Sequence, residues 1–230
     1  MRILINHLTR MSPGRICVAG VTTNGAHIRP VLDGEQLGRD LLSSEGGPFS
    51  LGQVVDLGKT RSRQSVPEVE DVVFRPEEVK PEKMLSSAEF GDVMKQFAKS
   101  SLVEIFGKDL IPHRRTAAVS EGEGSVSLGV LRPEGARFSS GTPQDGGVRL
   151  TVEDTDLGDL TLPVTDLRLW KPDHRTPARR AVEGIRSALE GCLVAVGLSM
   201  PFRPPGHSVP RHWLQVNNLF PVGDPLWARA

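Results

Sequence analysis

The chain has 230 residues and no formal net charge, and its 38% hydrophobic and 24% charged residues are ordinary for a folded protein. A neutral molecule has no global field that draws it to nucleic acid or to an anionic membrane, so a local basic patch would have to do this. The 24 glycines and 18 prolines favour many turns and short elements over a few long helices.

Short strands are predicted at the start of the chain. Apolar runs rich in Ile and Val indicate strands over residues 2–8 and 15–21. Asn24-Gly25 then predicts a type I′ turn that pairs the second strand with residues 26–32. We expect this third strand to end at Pro30, because proline cannot donate to a central ladder.

A helical insertion is predicted over about 75–108. Ser86 and Glu89 have the spacing of a capping box, in which each side chain satisfies a backbone donor at the start of a helix. Apolar residues then recur at helical spacing, and Gly107 is placed to end the helix. We therefore predict one amphipathic helix over 87–106 that covers one end of a small barrel.

The rest of the chain is predicted to be strands with one further helix. The predicted strands are 54–57, 126–131, 148–153, 160–169, 192–198 and 212–216. Thr176 and Pro177 are the predicted N-cap and first residue of a helix over 177–190, which Gly191 ends.

Several short strands and one helix in each half predict a mainly β fold of the α+β class. Small barrels with a covering helix, as in the OB-fold, fit this count of elements. We predict two small OB-like β-barrels, each with a covering helix. The first would comprise residues 1–120 with the helical insertion, and the second residues 121–230.

No common motif for metal binding, phosphate-binding loops or nucleophilic catalysis is present in the sequence. We therefore predict no metal ion and no cofactor. The two cysteines, Cys17 and Cys192, lie in apolar runs and indicate isolated buried thiols. No apolar stretch approaches the length of a membrane span, and the N-terminus enters a strand at once, so we expect a cytoplasmic protein without membrane contact.

One group of candidate binding residues follows the first strands. Asn6, His7 and Arg10 would meet Arg29 at one rim of the first barrel. Such a rim suits contacts to phosphates and base edges. The alternative is that the amide and imidazole only satisfy backbone groups of a turn.

A second group lies on the last predicted strand. Trp213, Gln215 and Asn217 would share one face, where an indole beside two amides can stack on a base and bind its edge. The alternative is that Trp213 anchors the core. Aromatic residues make up only 5% of the chain and Tyr is absent, so few rings, Trp227 among them, are available to stack on bases. We therefore expect the protein to bind a short segment of nucleic acid or one nucleotide rather than a long single strand.

Two other functions stay open at this point. The chain could be an enzyme that modifies a base or nucleotide, with His7 as general base and Asp166 as its orienting carboxylate. Asp166 could equally form a buried ion pair with Arg168 or Arg29. A protein scaffold is the third reading, and it would need an exposed apolar patch on the 87–106 helix or in the loop 201–210.

A set of short motifs spans almost the whole chain. They are Asn6-His7-Leu8-Thr9-Arg10-Met11, Cys17-Val18-Ala19-Gly20-Val21, His27-Ile28-Arg29-Pro30-Val31, Gly52-Gln53-Val54-Val55-Asp56-Leu57, Leu128-Gly129-Val130-Leu131-Arg132-Pro133, Pro163-Val164-Thr165-Asp166, Val196-Gly197-Leu198-Ser199-Met200-Pro201-Phe202 and His212-Trp213-Leu214-Gln215-Val216-Asn217. As a set they resemble the bacterial dual-OB-domain proteins. The resemblance implies two OB-type barrels and a role in sensing nucleic acid or a nucleotide beside prokaryotic antiviral defence genes, with a protein partner from the same operon.

Overall fold

A computed structural model describes residues 1–138 and 147–221 of the chain, which form sixteen strands and three helices. The strands are β1 (Arg2–Arg10), β2 (Arg15–Val21), β3 (His27–Val31), β4 (Leu37–Gly38), β5 (Gln53–Asp56), β6 (Arg61–Ser62), β7 (Asp71–Val73), β8 (Lys80–Met84), β9 (Ile111–His113), β10 (Thr116–Ser120), β11 (Leu128–Leu131), β12 (Gly135–Phe138), β13 (Arg149–Asp154), β14 (Gly158–Pro163), β15 (Leu193–Leu198) and β16 (Arg211–Phe220). The helices are α1 (Ser87–Phe97), α2 (Leu102–Phe106) and α3 (Arg179–Arg186). The predicted α+β class, mainly β, is confirmed.

The N-terminal part of the chain, residues 1–98, builds one curled sheet of eight strands. Its order is β6-β7-β3-β2-β1-β5-β8, and the short β4 pairs with β2. β1 lies between β2 and β5, and all its residues from Ile3 to Thr9 are buried. A strand covered on both faces does not alternate between apolar and polar residues, which explains the continuous apolar run at its start.

The C-terminal part, residues 99–221, builds two smaller sheets. One has the order β11-β15-β16-β10-β9, and the other is the meander β12-β13-β14. They are linked where the chain leaves β14, since Val164 forms a bridge with Val216 and the Thr165 amide donates to the Val216 carbonyl at 2.8 Å.

Two hydrophobic cores lie under these sheets, and the last strand contributes to both. α1 packs into the first core through Phe90 and Met94, while Leu102 and Phe106 of α2 lie in the second. Phe220 at the end of β16 reaches the first core, where its ring lies 4.8 Å from that of Phe90. The two parts therefore meet across a packed apolar interface. No helix of the described residues is long and apolar enough to cross a membrane.

The helical insertion is two helices, so the prediction of a single helix over 87–106 was wrong. The predicted capping box is confirmed, because the Glu89 amide donates to Ser86 Oγ and the Ser86 amide donates to the Glu89 carboxylate. The chain then leaves the helix because Lys99 pairs with Leu131 as an extended residue. Ser101 starts α2 by accepting from the Glu104 amide. Each helix thereby packs into a different core.

The hairpin of β2 and β3 forms as predicted, but its turn is not type I′. That turn needs positive φ at both central residues, whereas Gly25 has φ 82° and Asn24 is not among the residues with positive φ. A longer loop forms instead, closed by the Thr22 amide, which donates to the Ala26 carbonyl at 3.0 Å. The strand also continues past Pro30, because β3 pairs in parallel with β7 over residues 29–31.

Two boundaries in the C-terminal part also differ from expectation. The predicted strand 160–169 ends at Pro163, and a 3₁₀ turn follows at Leu167–Leu169. The predicted helix 177–190 is only Arg179–Arg186. Thr176 is not its N-cap, because its hydroxyl donates to the Asp173 carboxylate at 2.6 Å.

Gly20 is the position in β2 where we expect a side chain to be tolerated least. A Cβ there would lie 2.6 Å from the Leu4 carbonyl oxygen in β1, and the backbone of a central strand cannot move aside. We expect Gly20→Ala to lower the free energy of unfolding by about 1–3 kcal/mol, measured by urea denaturation.

Gly91 in α1 is the matched control, because nothing lies within 4 Å of its Cβ position. Gly91→Ala should therefore raise stability by about 0.5–1 kcal/mol, and a loss in both variants would contradict the packing argument.

Candidate functional site

The first and last strands meet, and polar side chains of β1, β3 and β16 form what we call the buried polar cluster, namely Asn6, His7, His27, Gln215 and Asn217, of which His27 and Gln215 are partly exposed. The Asn217 amide donates to His7 Nδ1 at 3.1 Å, and Gln215 Nε2 donates to Asn217 Oδ1 at 3.0 Å. The His27 ring lies edge-on to His7 with centroids 5.3 Å apart. Asn6, His7 and Asn217 are buried, so as the chain is folded here they face one another rather than a ligand.

Asn218 explains why this cluster is closed. Its side-chain amide bonds both backbone groups of Leu8, accepting from the amide at 2.7 Å and donating to the carbonyl at 3.2 Å. The side-chain amide thus satisfies the same backbone donor and acceptor that a peptide group of a neighbouring strand would satisfy. The sequence reasoning missed this role, and its only signal was the Asn217-Asn218 pair.

Burial sets the charge of the cluster. It is the main reason why the pKa of His7 lies well below its usual value, with smaller effects of His27 and Arg29. Burial also lowers the pKa of His27 to about 4. Both imidazoles are therefore neutral at pH 7. His7 Nε2 and Asn6 Oδ1 are buried and have no hydrogen-bond partner among the described residues.

The carboxylate of Asp166 is fully engaged. Oδ2 accepts from Arg168 Nη2 at 2.8 Å and from the Leu219 amide at 3.1 Å, while Oδ1 accepts from Arg168 Nε at 3.1 Å. Both side chains are almost completely buried. Asp166 therefore forms the ion pair with Arg168 that was the alternative interpretation, and its carboxylate binds Arg168 and the Leu219 amide rather than orienting His7.

The two arginines of the predicted rim make internal contacts. Arg29 Nε lies 2.5 Å from Asp71 Oδ1, and both side chains are largely buried. The Arg10 guanidinium stacks 3.6 Å above the centroid of the Trp170 ring and donates to the His174 carbonyl at 2.6 Å. These residues hold the structure together and do not form an open basic surface.

Trp213 lies apart from the buried polar cluster. Its ring is 4.8 Å from His207 and 5.4 Å from His113, and its Nε1 donates to the Phe202 carbonyl at 3.0 Å. Phe202 is 52% exposed, as an apolar contact surface in the loop 201–210 would require. The scaffold reading stays a prediction, and Trp227 lies outside the described residues.

A different basic site lies on the C-terminal part, and we call it the arginine pocket. It has a volume of about 190 Å³. Its lining residues are Phe138, Gly147, Val148, Arg149, Pro177, Arg179, Val182, Glu183 and Arg186. Among residues 1–138 and 147–221, no acidic side chain forms an ion pair with any of its three arginines. Glu183 is the one acid among the lining residues that the structure describes, and these residues carry an excess of two positive charges.

Local structure explains how these side chains converge. Phe138 ends β12 opposite Leu150 of β13, the residue that follows Arg149, and both Phe138 and Arg149 line the pocket. Arg179 and Arg186 are seven residues apart on α3 and therefore share one face of the helix. The Arg186 guanidinium carbon lies 5.7 Å from the centroid of the Phe138 ring. The sequence reasoning did not single out these residues, although their spacing on a helix was a signal.

Comparison with known proteins supports an assignment to a family. A family model described as a dual OB-containing domain matches residues 1–219. No curated protein matches the chain. The described residues contain no group of three or more His, Cys, Asp or Glu that could hold a metal ion. The match covers nearly the whole chain and agrees with two β-rich parts of OB type, and the chain belongs to the dual OB-containing domain family.

Proposed function

We propose that this chain binds nucleic acid or a nucleotide, and that the arginine pocket is the contact site. The observation that carries the proposal is that three arginines line one pocket together with an aromatic ring and have no acidic ion-pair partner among residues 1–138 and 147–221, on a protein without net charge. Guanidinium groups bind phosphate oxygens through paired hydrogen bonds, and an aromatic ring stacks on a base. OB-type barrels use such surfaces for oligonucleotides.

The size of the pocket favours a short ligand. A volume of about 190 Å³ lies below the usual range of small-molecule sites, so with a single ring it suits part of one nucleotide and not a long track of stacked bases. We therefore infer a terminal or looped segment of single-stranded nucleic acid, or a free nucleotide. Sensing in a bacterial defence system follows from the resemblance and is part of this proposal, as is the division into barrels at residues 1–120 and 121–230.

Removing two of the arginines is the direct test. Arg179→Ala combined with Arg186→Ala should weaken binding of short single-stranded DNA or RNA about tenfold or more, since each lost phosphate contact removes a charge-assisted hydrogen bond. The slope of log affinity against log salt should also fall by about 0.7 for each lost contact. Fluorescence anisotropy of labelled oligonucleotides over a salt series measures both quantities.

A matched control separates the site from the net charge. Arg61 and Arg75 are exposed arginines of the N-terminal part. The double variant Arg61→Ala, Arg75→Ala removes the same charge and should retain the wild-type affinity to within about twofold. Equal losses in the two double variants would overturn the site. Absence of binding at low salt to DNA, RNA and nucleotides alike would overturn the function.

A further inference from the structure

A second and larger pocket lies where the two parts of the chain meet, and we call it the junction pocket. Its volume is about 520 Å³, which is in the range of small-molecule sites. It is lined by Met1, residues 25–28 of the β2–β3 loop and β3, Ser62, Gln64 and residues 69–72 around β6 and β7, and Val126 and Leu128. We propose that it binds a small uncharged molecule with a flat ring, such as a nucleobase or nucleoside.

The walls of the junction pocket are apolar. Ile28 lies on one side, Val69 and Val72 on another, and Val126 and Leu128 close it from the C-terminal part. Ligand sites of this kind gain most of their affinity by burying apolar ligand surface. Because its walls come from both parts of the chain, the shape depends on their packing.

The charges around the junction pocket exclude an anionic ligand. The Glu70 carboxylate accepts from the Ser127 amide at 2.6 Å, from the Ser127 hydroxyl at 2.8 Å and from the Leu128 amide at 3.2 Å. The other acid, Asp71, is paired with Arg29. The Met1 ammonium, which also lines the pocket, is paired with Asp56 at 2.8 Å. Each of these two cations therefore already has an acidic partner, and among residues 1–138 and 147–221 a phosphate would meet two carboxylates and no unpaired cation in the lining.

The polar groups that remain are neutral. Ser62 and Gln64 are exposed, and within the described part of the chain their side chains have no hydrogen-bond partner. His27, which belongs to the buried polar cluster, also lines the pocket, with Asn6 Nδ2 3.5 Å from its Nε2. An amide side chain offers one donor and one acceptor side by side, which matches the edge of a base.

The inference does not depend on the proposed function, because the two sites differ in their lining residues and in the charge of the ligand. The probes are adenosine, guanosine, cytidine and uridine, with their 5′-monophosphates, titrated by calorimetry. We expect at least one nucleoside to bind and its monophosphate to bind at least about tenfold more weakly. The Arg179→Ala, Arg186→Ala variant should bind that nucleoside like the wild-type protein.

Two variants locate the site. Ala26 is exposed at the mouth of the junction pocket, so Ala26→Trp should fill the pocket and abolish binding, whereas Ala88→Trp on the exposed face of α1 should not. Gln64→Ala should weaken binding about tenfold without affecting folding, because the side chain makes no internal hydrogen bond. No nucleoside binding, equal binding of monophosphates, or binding unaffected by both Ala26→Trp and Gln64→Ala would overturn the inference.

Discussion

Replacing Arg168 by Met is expected to lower the free energy of unfolding by about 3–5 kcal/mol, the range for a buried ion pair that loses one partner. The Asp166 carboxylate would lose its ion-pair partner in a fully buried site, and the amides of Arg168 and Leu219 cannot compensate fully. Urea denaturation followed by circular dichroism measures the change, with the midpoint and slope fitted separately.

The effect should be large because this ion pair joins three segments. Asp166 follows β14, forms a bridge with Thr9 of β1 and accepts from the backbone of Leu219 in β16. Losing the pair therefore removes a side-chain interaction and also weakens the contact between the two parts of the chain.

Two control variants separate an unpaired charge from lost packing. Asp166→Asn combined with Arg168→Met removes both charges and keeps an acceptor for the backbone amides, so it should be more stable than Arg168→Met alone. Arg175→Met, at an exposed arginine, should change stability by no more than about 0.5 kcal/mol. A loss of less than about 1 kcal/mol in Arg168→Met would contradict the proposed role.

The sequence predicted those strands and helix starts that are determined by residues close to one another along the chain. The strand runs at β1 and β2 and the capping box of Ser86 and Glu89 depend on residues within a few positions of one another. The break between α1 and α2 could not be predicted in this way. It follows from pairing of Lys99 with Leu131, and no local signal marks a partner 32 positions further along the chain.

The same distinction explains the outcome for the candidate residues. The sequence placed His7 and Asn217 in two separate candidate groups, and no local pattern indicates their contact across 210 positions. Their burial was not expected, since it depends on Asn218 closing the contact with Leu8. Arg29 is neutralised by Asp71, which stands 42 positions away. The arginine pocket likewise needs Phe138 and α3, whose proximity is set by the fold.

Acid is expected to destabilise the protein through its buried histidines. The folded-state pKa of His27 is lowered by burial to about 4, below its ordinary value of 6.5, and that of His7 is lowered as well. Folding therefore favours the neutral ring. This contribution is fully present above pH 6.5 and is lost as the pH falls toward 4. For His27 alone, the loss across that window is roughly 3 kcal/mol.

Comparing His27→Gln with the wild-type protein isolates this term, because glutamine keeps a hydrogen-bonding group near Asn6 and does not titrate. Unfolding free energies from urea titrations between neutral pH and about pH 4 should fall less steeply in the variant. His207→Gln, at an exposed histidine, serves as the matched control and should follow the wild-type curve. Parallel curves for His27→Gln and the wild-type protein would mean that the imidazole charges without leaving its site. Burial would then not lower the pKa of His27 as expected.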